Sequence, residues 1–334
     1  MFADKFLRLG PWPEVCSVVG HPMKPAFADP PPKANPAAAL KVSPLHRVDD
    51  DAHLGQYIPL HYHGQMLANE QRMAPFHEAI ERLVPDGSHV VELGGGTGVM
   101  SFFAAKRARK VTMVERLPHV AATARRLLAA NGVSDVVTVV EGDARRFVPD
   151  EPADVVICEM LHVALVREKQ IEVLKAFKAQ HEARFGRRFV RFIPEASILA
   201  VQPIYQPYDF HGYYAPVPFF FEAGIPGVST VEMGQPKVYS TIDYREPLPE
   251  SFSFDEVMMA DQAGTINALR FITKNPVGIF EHEQRSADWY MPYMSLALPY
   301  PITVEAGDAT RIRFQYEAGA SVESLQASLQ AQPA

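Results

Sequence analysis

Cysteine is scarce: Cys16 and Cys158 are the only two in 334 residues, too few for a disulfide framework, and the second falls in an expected core strand. No metal site is expected. No apolar run approaches the length of a membrane span, and the opening Met-Phe-Ala-Asp-Lys-Phe-Leu-Arg-Leu-Gly lacks the apolar stretch of a signal peptide. The chain therefore reads as soluble and cytoplasmic, with no membrane partner. Basic residues are in the minority, 32 Lys and Arg against 39 Asp and Glu, for a formal net charge of −7. That balance argues against a general nucleic-acid binder, which needs a basic stripe, and is compatible with a cationic substrate. No internal repeat is present, and the length suffices for two domains with a sizeable core.

What is present centres on His89-Val-Val-Glu-Leu-Gly-Gly-Gly-Thr-Gly98. An apolar strand runs into glycines at 94, 95, 96 and 98, and Val99, Met100, Phe102 and Phe103 continue as a helix, so the stretch reads strand, tight turn, helix. Glycine suits such a turn because a Cβ would hold the backbone away from a ligand and strain positive φ. The dinucleotide fingerprint requires glycine at its sixth position, where this chain has Val99, which makes a nicotinamide-dependent oxidoreductase a poor fit. The spacing is instead Gly94-x-Gly96-x-Gly98, with Glu92 in the strand before it. A second strand, Lys110 to Glu115, ends in a carboxylate suited to a ribose diol, because an ionised acceptor takes both hydroxyl donors. The next helix shows Val120, Ala124, Leu127 and Leu128 on one face and closes at Asn131-Gly132. A third strand, Val136 to Asp143, ends in another acid where an adenine edge would lie, with Ala144 beside it.

In chain order, residues 1–45 form a proline-rich leader; His21 to Pro36 alone holds six prolines, which excludes an ordinary helix or central strand. A helical cap over 46–88 follows, with Met73, Phe76, Ile80 and Leu83 at helical spacing and Pro75 tolerable in a first turn. Residues 89–194 alternate strands and helices, which predicts a parallel, doubly wound α/β sheet. Its fourth strand, Ala153 to Glu159, ends where such sheets bind substrate, and a polar, charged helix runs from about 167 to 186. From 195 to 317 short β-type runs separated by Pro, Gly and Asp fit an antiparallel barrel or sandwich: 196–201, 237–244, 266–273, 294–298 and 311–316. The last stretch, 318–334, rich in Ala, Gln and Ser, reads as a flexible tail.

Glycine turn, ribose acid and adenine acid in this order resemble a class I S-adenosylmethionine (SAM) methyltransferase. With the helical cap before them and the β-domain after, residues 52–317 resemble the protein arginine methyltransferases. His63-x-x-Met-Leu67 followed by Arg72 is similar to that family's helical segment. The resemblance implies that Arg72 meets the cofactor's carboxylate, Met66 lies by its sulfonium, and His63, Glu92, Gly94, Gly96, Gly98, Glu115, Asp143 and Ala144 also hold the cofactor.

Glu159 and Glu168, nine positions apart around a mostly apolar loop, match the family's double-glutamate loop. The physical logic is that arginine is protonated at ordinary pH, so two carboxylates must bind it as a cation while leaving one nitrogen reactive and in line with the methyl group. The departures are specific. Met160-Leu-His-Val163 replaces the family's Trp-Met-Gly-Tyr. Ala287-Asp-Trp289 stands for its Thr-His-Trp, so Asp288 takes the histidine's place as a third catalytic acid. His53-Leu-Gly-Gln-Tyr57 keeps only the second of two tyrosines. The resemblance makes Tyr57, Met160, His162 and Trp289 substrate contacts, His162 being also a candidate base. Family members dimerise through an arm, for which 203–230 stands here, so a homodimer is one expected assembly.

The expected function is a SAM-dependent N-methyltransferase acting on a protein arginine or a small cationic amine or guanidino compound. Two other readings stay open: a small-molecule N- or O-methyltransferase on the same scaffold, and a SAM-binding regulatory protein without turnover.

Overall fold

The structure, a computed structural model, describes residues 60–221 and 230–334. The proline-rich leader, the start of the cap and Tyr57 lie outside the described residues.

Helices α1 (Leu60–Ala68) and α2 (Glu70–Leu83) form the described part of the cap. They break at Asn69, whose side chain accepts from the Arg72 N–H at 3.1 Å and caps α2. Pro75 lies inside α2, in its second turn and not the first, while Met73, Phe76, Ala79 and Ile80 are buried as the periodicity requires.

Five parallel strands follow: β1 (His89–Leu93), β2 (Lys110–Glu115), β3 (Val137–Glu141), β4 (Val155–Cys158) and β5 (Arg191–Ile193), in the order β3-β2-β1-β4-β5. Helices α3 (Val99–Ala104), α4 (Pro118–Ala130) and α5 (Gln170–Phe185) connect them, giving a Rossmann-like sheet. On α4 the buried face is Val120, Ala121, Ala124 and Leu128; Leu127 is exposed. Helix α5 is less polar than its composition suggests, since Ile171, Val173, Leu174 and Phe177 are buried. Chain order reverses between β1 and β4, where Leu93 pairs with Cys158. That reversal opens a crevice at the strands' carboxyl ends, and it places the glycine turn beside Glu159.

The remainder is antiparallel. Strand β6 (Ala196–Tyr205) leads to a small hairpin, β7 (Asp209–Phe210) with β8 (Tyr213–Tyr214), and then to β9 (Phe219–Phe221) and β10 (Val231–Glu232). Next come β11 (Lys237–Asp243), β12 (Ser251–Met259), the long β13 (Gly264–Phe280), β14 (Arg285–Tyr290), β15 (Tyr293–Val304) and β16 (Ala309–Glu317). One sheet runs β10-β6-β13-β15-β9, with β11 on β6 and β14 on β13; β12 pairs with β16 in another. Phe254, Phe271, Phe314 and Tyr239 meet between them at ring separations of 5.2–6.4 Å.

One expectation is corrected here. Residues 318–334 do not form a loose tail: α6 (Val322–Ser328) buries Val322 and Leu325, and β17 (Gln330–Pro333) pairs with β16. The apolar positions 322, 325 and 329 recur at helical spacing, and a free strand edge on β16 gives the last residues a ladder to join. The described part of 203–230 is extended, and β9 pairs with the chain's own β15.

Candidate active site

A cavity of about 600 Å³ sits at the carboxyl ends of β1, β2 and β4, beneath the cap and against β14–β15. Its walls carry Gly94, Gly96, Glu92, Glu115, Asp143 and Ala144 from the sheet, His63, Met66 and Arg72 from the cap, and Glu159, Met160, His162 and Glu168 from the loop after β4. Trp289 closes it from the β-domain.

The glycine turn is shaped by what presses on it. Gly96 has φ +56°, which favours glycine, and a Cβ there would lie 2.8 Å from Cε1 of His63, so a side chain at 96 would push the imidazole out of its place against the turn. Gly98 is held by packing. It lines no part of this cavity; at φ +84° it starts α3, and a Cβ would meet Leu128 at 3.1 Å. Packing and backbone conformation both favour glycine there.

Glu92 reaches from β1 to the start of α3, where one oxygen accepts from the Ser101 N–H at 3.0 Å and from the Ser101 hydroxyl. Burial pushes its carboxyl up to about 7, against those two hydrogen bonds. Glu115 accepts from the Gly96 N–H at 3.0 Å on one oxygen and from the Leu117 N–H at 2.8 Å on the other. Each oxygen keeps a second lone pair, so the carboxylate is fixed in place yet still able to accept. Asp143 is gripped by Arg145 through Nε and Nη2, and that hydrogen bonding holds its carboxyl below its ordinary value. Arg145 also reaches Glu172 at 3.0 Å.

Arg72, buried between the rings of Phe76 and Trp289, each 5.8 Å away, donates from Nε at 3.1 Å and from Nη2 to Oε2 of Glu159. Sequence reasoning assigned this arginine to a cofactor carboxylate and did not foresee that it also fixes the first glutamate. Glu168 lies at the far end of the loop in the same cavity. Burial, reinforced by repulsion from Glu159, pushes its carboxyl up to about 8. His162 is pushed down to about 4 by burial and meets Phe220 edge-on at 5.6 Å. It is neutral at ordinary pH and a poor proton acceptor.

Asp288 is corrected. Strand alternation on β14 turns Trp289 into the cavity and its neighbour away, and Asp288 pairs with Lys274 at 2.9 Å. It is an ion-pair partner in the β-domain and no part of the cavity wall.

Several residues here carry no signal in the sequence. Gln170 ties the loop's first end, donating to the Cys158 carbonyl at 2.8 Å and accepting from the Met160 N–H at 2.9 Å. Phe220 enters the cavity from β9, because β9 docks on β15. Only Gln170, directly after the loop, was open to inference from position. Among the described residues no cluster of His, Cys, Asp or Glu could hold a metal ion, and no helix is long and apolar enough to cross a membrane.

A family model described as a methyltransferase domain matches residues 90–180. An uncharacterized protein of Methanothermobacter thermautotrophicus is 30% identical over 270 residues, covering 80% of this chain and 97% of the relative. Protein arginine N-methyltransferase 2 of Xenopus tropicalis is 32% identical over 131 residues, 38% of this chain and 30% of that protein. Among solved structures, the Trypanosoma brucei PRMT1 enzyme-prozyme heterotetrameric complex with AdoHcy superposes with a TM-score of 0.61 at 19% identity, covering 81% of this chain and 96% of the other.

Proposed function

The chain belongs to the class I SAM-dependent methyltransferases, in the branch that resembles the protein arginine methyltransferases, and on that premise we propose that it methylates a cationic guanidino or amine nitrogen held by Glu159 and Glu168. The observation that carries this reading is that both glutamates, from opposite ends of one loop, face the same cavity as the glycine turn and Glu115.

The cavity suits SAM. Glu115 has free lone pairs for a ribose diol, Asp143 and Ala144 line the end suited to adenine, and glycine at 96 leaves room for His63 against the turn. Arg72 gives Nε and Nη2 donors to Glu159 and an Nη1 donor to the Met73 sulfur, which leaves one N–H on each terminal nitrogen for a carboxylate. When bound, SAM supplies an electrophilic methyl group on a sulfonium.

The rest is done by the chain's own groups. Glu159, held by Arg72, binds the substrate cation through charge-assisted hydrogen bonds, and the cation's charge favours ionisation of Glu168, so that both carboxylates draw the positive charge away from the attacking nitrogen. That nitrogen would then attack the methyl group that bound SAM supplies, and Glu168, ionised beside the cation, would take the proton it loses. Trp289, Met160 and Phe220 exclude water and so strengthen these contacts.

Labelled SAM offered to an arginine-rich protein and peptide pool, and separately to a small-metabolite extract, tests the proposal. Glu159→Gln is expected to lower transfer on the order of 10²-fold or more while SAM affinity by calorimetry holds. Equal loss of both assigns Glu159 a structural role and sinks the reading. A small guanidino metabolite is the second reading, favoured by Phe220 and His162 meeting edge-on in the cavity wall; label confined to the metabolite pool would select it.

A further inference from the structure

The loop that carries the two glutamates adopts a shape its own sequence does not favour. Ala164, Leu165 and Arg167 have φ of +59°, +53° and +64°, left-handed values that L side chains resist and that none of these residues relieves as glycine would. Residues 163–166 are buried, so water cannot satisfy their backbone polar groups.

The partners come from the C-terminal domain. The Ala164 N–H donates to Thr273 Oγ1 of β13 at 2.8 Å, and the Tyr316 hydroxyl of β16 donates to the Ala164 carbonyl at 2.8 Å. Next along the chain, the Gly319 N–H donates to the Leu165 carbonyl at 2.8 Å, and the Arg167 N–H to the Ala320 carbonyl at 2.7 Å. The Tyr316 hydroxyl lies 2.7 Å from that of Tyr239, and since it donates to Ala164 it accepts from Tyr239. The Thr273 carbonyl in turn accepts from the Met291 N–H at 3.0 Å, which ties the same residue to the Trp289–Pro292 wall of the cavity. Gln170 holds only the loop's first end; its middle is held from the other domain.

We infer that Thr273, Tyr316 and the 319–320 turn are positioning residues for the two glutamates: they clamp the loop in its left-handed path and so set Glu159 and Glu168 facing one cavity. This rests on the reading that those glutamates hold the acceptor nitrogen. The C-terminal domain is then part of the catalytic geometry, and the final residues are joined to it through Gly319 and Ala320.

Thr273→Val keeps the shape and loses the acceptor, Thr273→Ser keeps the hydroxyl, and Tyr316→Phe loses the donor to Ala164 together with the acceptor for the Tyr239 hydroxyl. Amide hydrogen exchange over 161–168 in the full chain is the first readout. It is expected to quicken about tenfold in Thr273→Val and Tyr316→Phe, and to return toward wild type in Thr273→Ser. Transfer from labelled SAM is expected to lose about tenfold in kcat in the first two variants, with KM for SAM unchanged, because the glycine turn and Glu115 are untouched. Unchanged exchange in the loop overturns the clamp, and so does faster exchange spread evenly over the whole β-domain. Absence of transfer by the wild-type protein to any acceptor would sink the proposed reaction, and the exchange data would still decide whether the clamp exists.

Discussion

Glu168→Gln should make the free protein more stable at alkaline pH, and the size of the effect follows from where the carboxyl sits. Burial and the neighbouring Glu159 charge push it up to about 8 from an ordinary 4.5. Between those values the folded state binds a proton that the unfolded chain has released, so wild-type stability falls as pH rises through that interval. Below about 4.5 both states are protonated and the term vanishes. At about 1.4 kcal/mol per pH unit the interval has a ceiling of about 5 kcal/mol. Glu168 keeps some contact with solvent across the cavity, which lowers a realistic value to ~1–3 kcal/mol. Glutamine has the same shape and does not titrate. Urea unfolding of both proteins from pH 5 to pH 9 should therefore give midpoints that lie close together at pH 5 and separate steadily, the variant becoming the more stable, until the difference levels off above about 8. The slope contributed by Glu92, also pushed up by burial, is common to both proteins and cancels in the difference. A difference that stays flat, or that shrinks as pH rises, would refute this account of the site's electrostatics.

The two glycines at 96 and 98 should fail differently. Gly98→Ala forces a Cβ into αL geometry against Leu128 and should cost ~1–2 kcal/mol in chemical unfolding with little specific effect on SAM affinity. Gly96→Ala displaces His63 and should weaken SAM binding about tenfold or more by calorimetry, beyond anything its unfolding midpoint explains. Asp288→Asn should leave kcat/KM within about twofold, yet lower stability by ~1–3 kcal/mol because buried Lys274 loses its charged partner. A fall in transfer of 10²-fold with stability intact would return Asp288 to the catalytic set.

The parts of this protein legible in the sequence are those fixed by local pattern and by a topological rule. Apolar strands ending in glycine or an acid at 93–98, 115, 141–143 and 158–159 declare themselves within a few residues. In a parallel sheet such ends converge on one edge, so residues scattered from 92 to 168 line one cavity. The β-domain was legible mainly where burial alternates along a strand, as in β16, and less so where β13 is buried on both faces and runs 17 residues.

What only the tertiary structure decided depends on partners far away in the chain. Whether residue 288 or 289 faces the cavity turns on the register of β14 against β13, which is set by pairing and not by either residue. The last residues are ordered because β16 offers them an edge and the loop offers Gly319 and Ala320 partners. Arg72 could be assigned to a carboxylate from its chemistry alone, but that one such carboxylate is Glu159 follows from an approach across 87 positions. The left-handed conformation of Ala164, Leu165 and Arg167 has no local cause at all: these residues prefer other conformations, and the bonds that outweigh that preference come from Thr273, Tyr316, Gly319 and Ala320, on the far side of the fold.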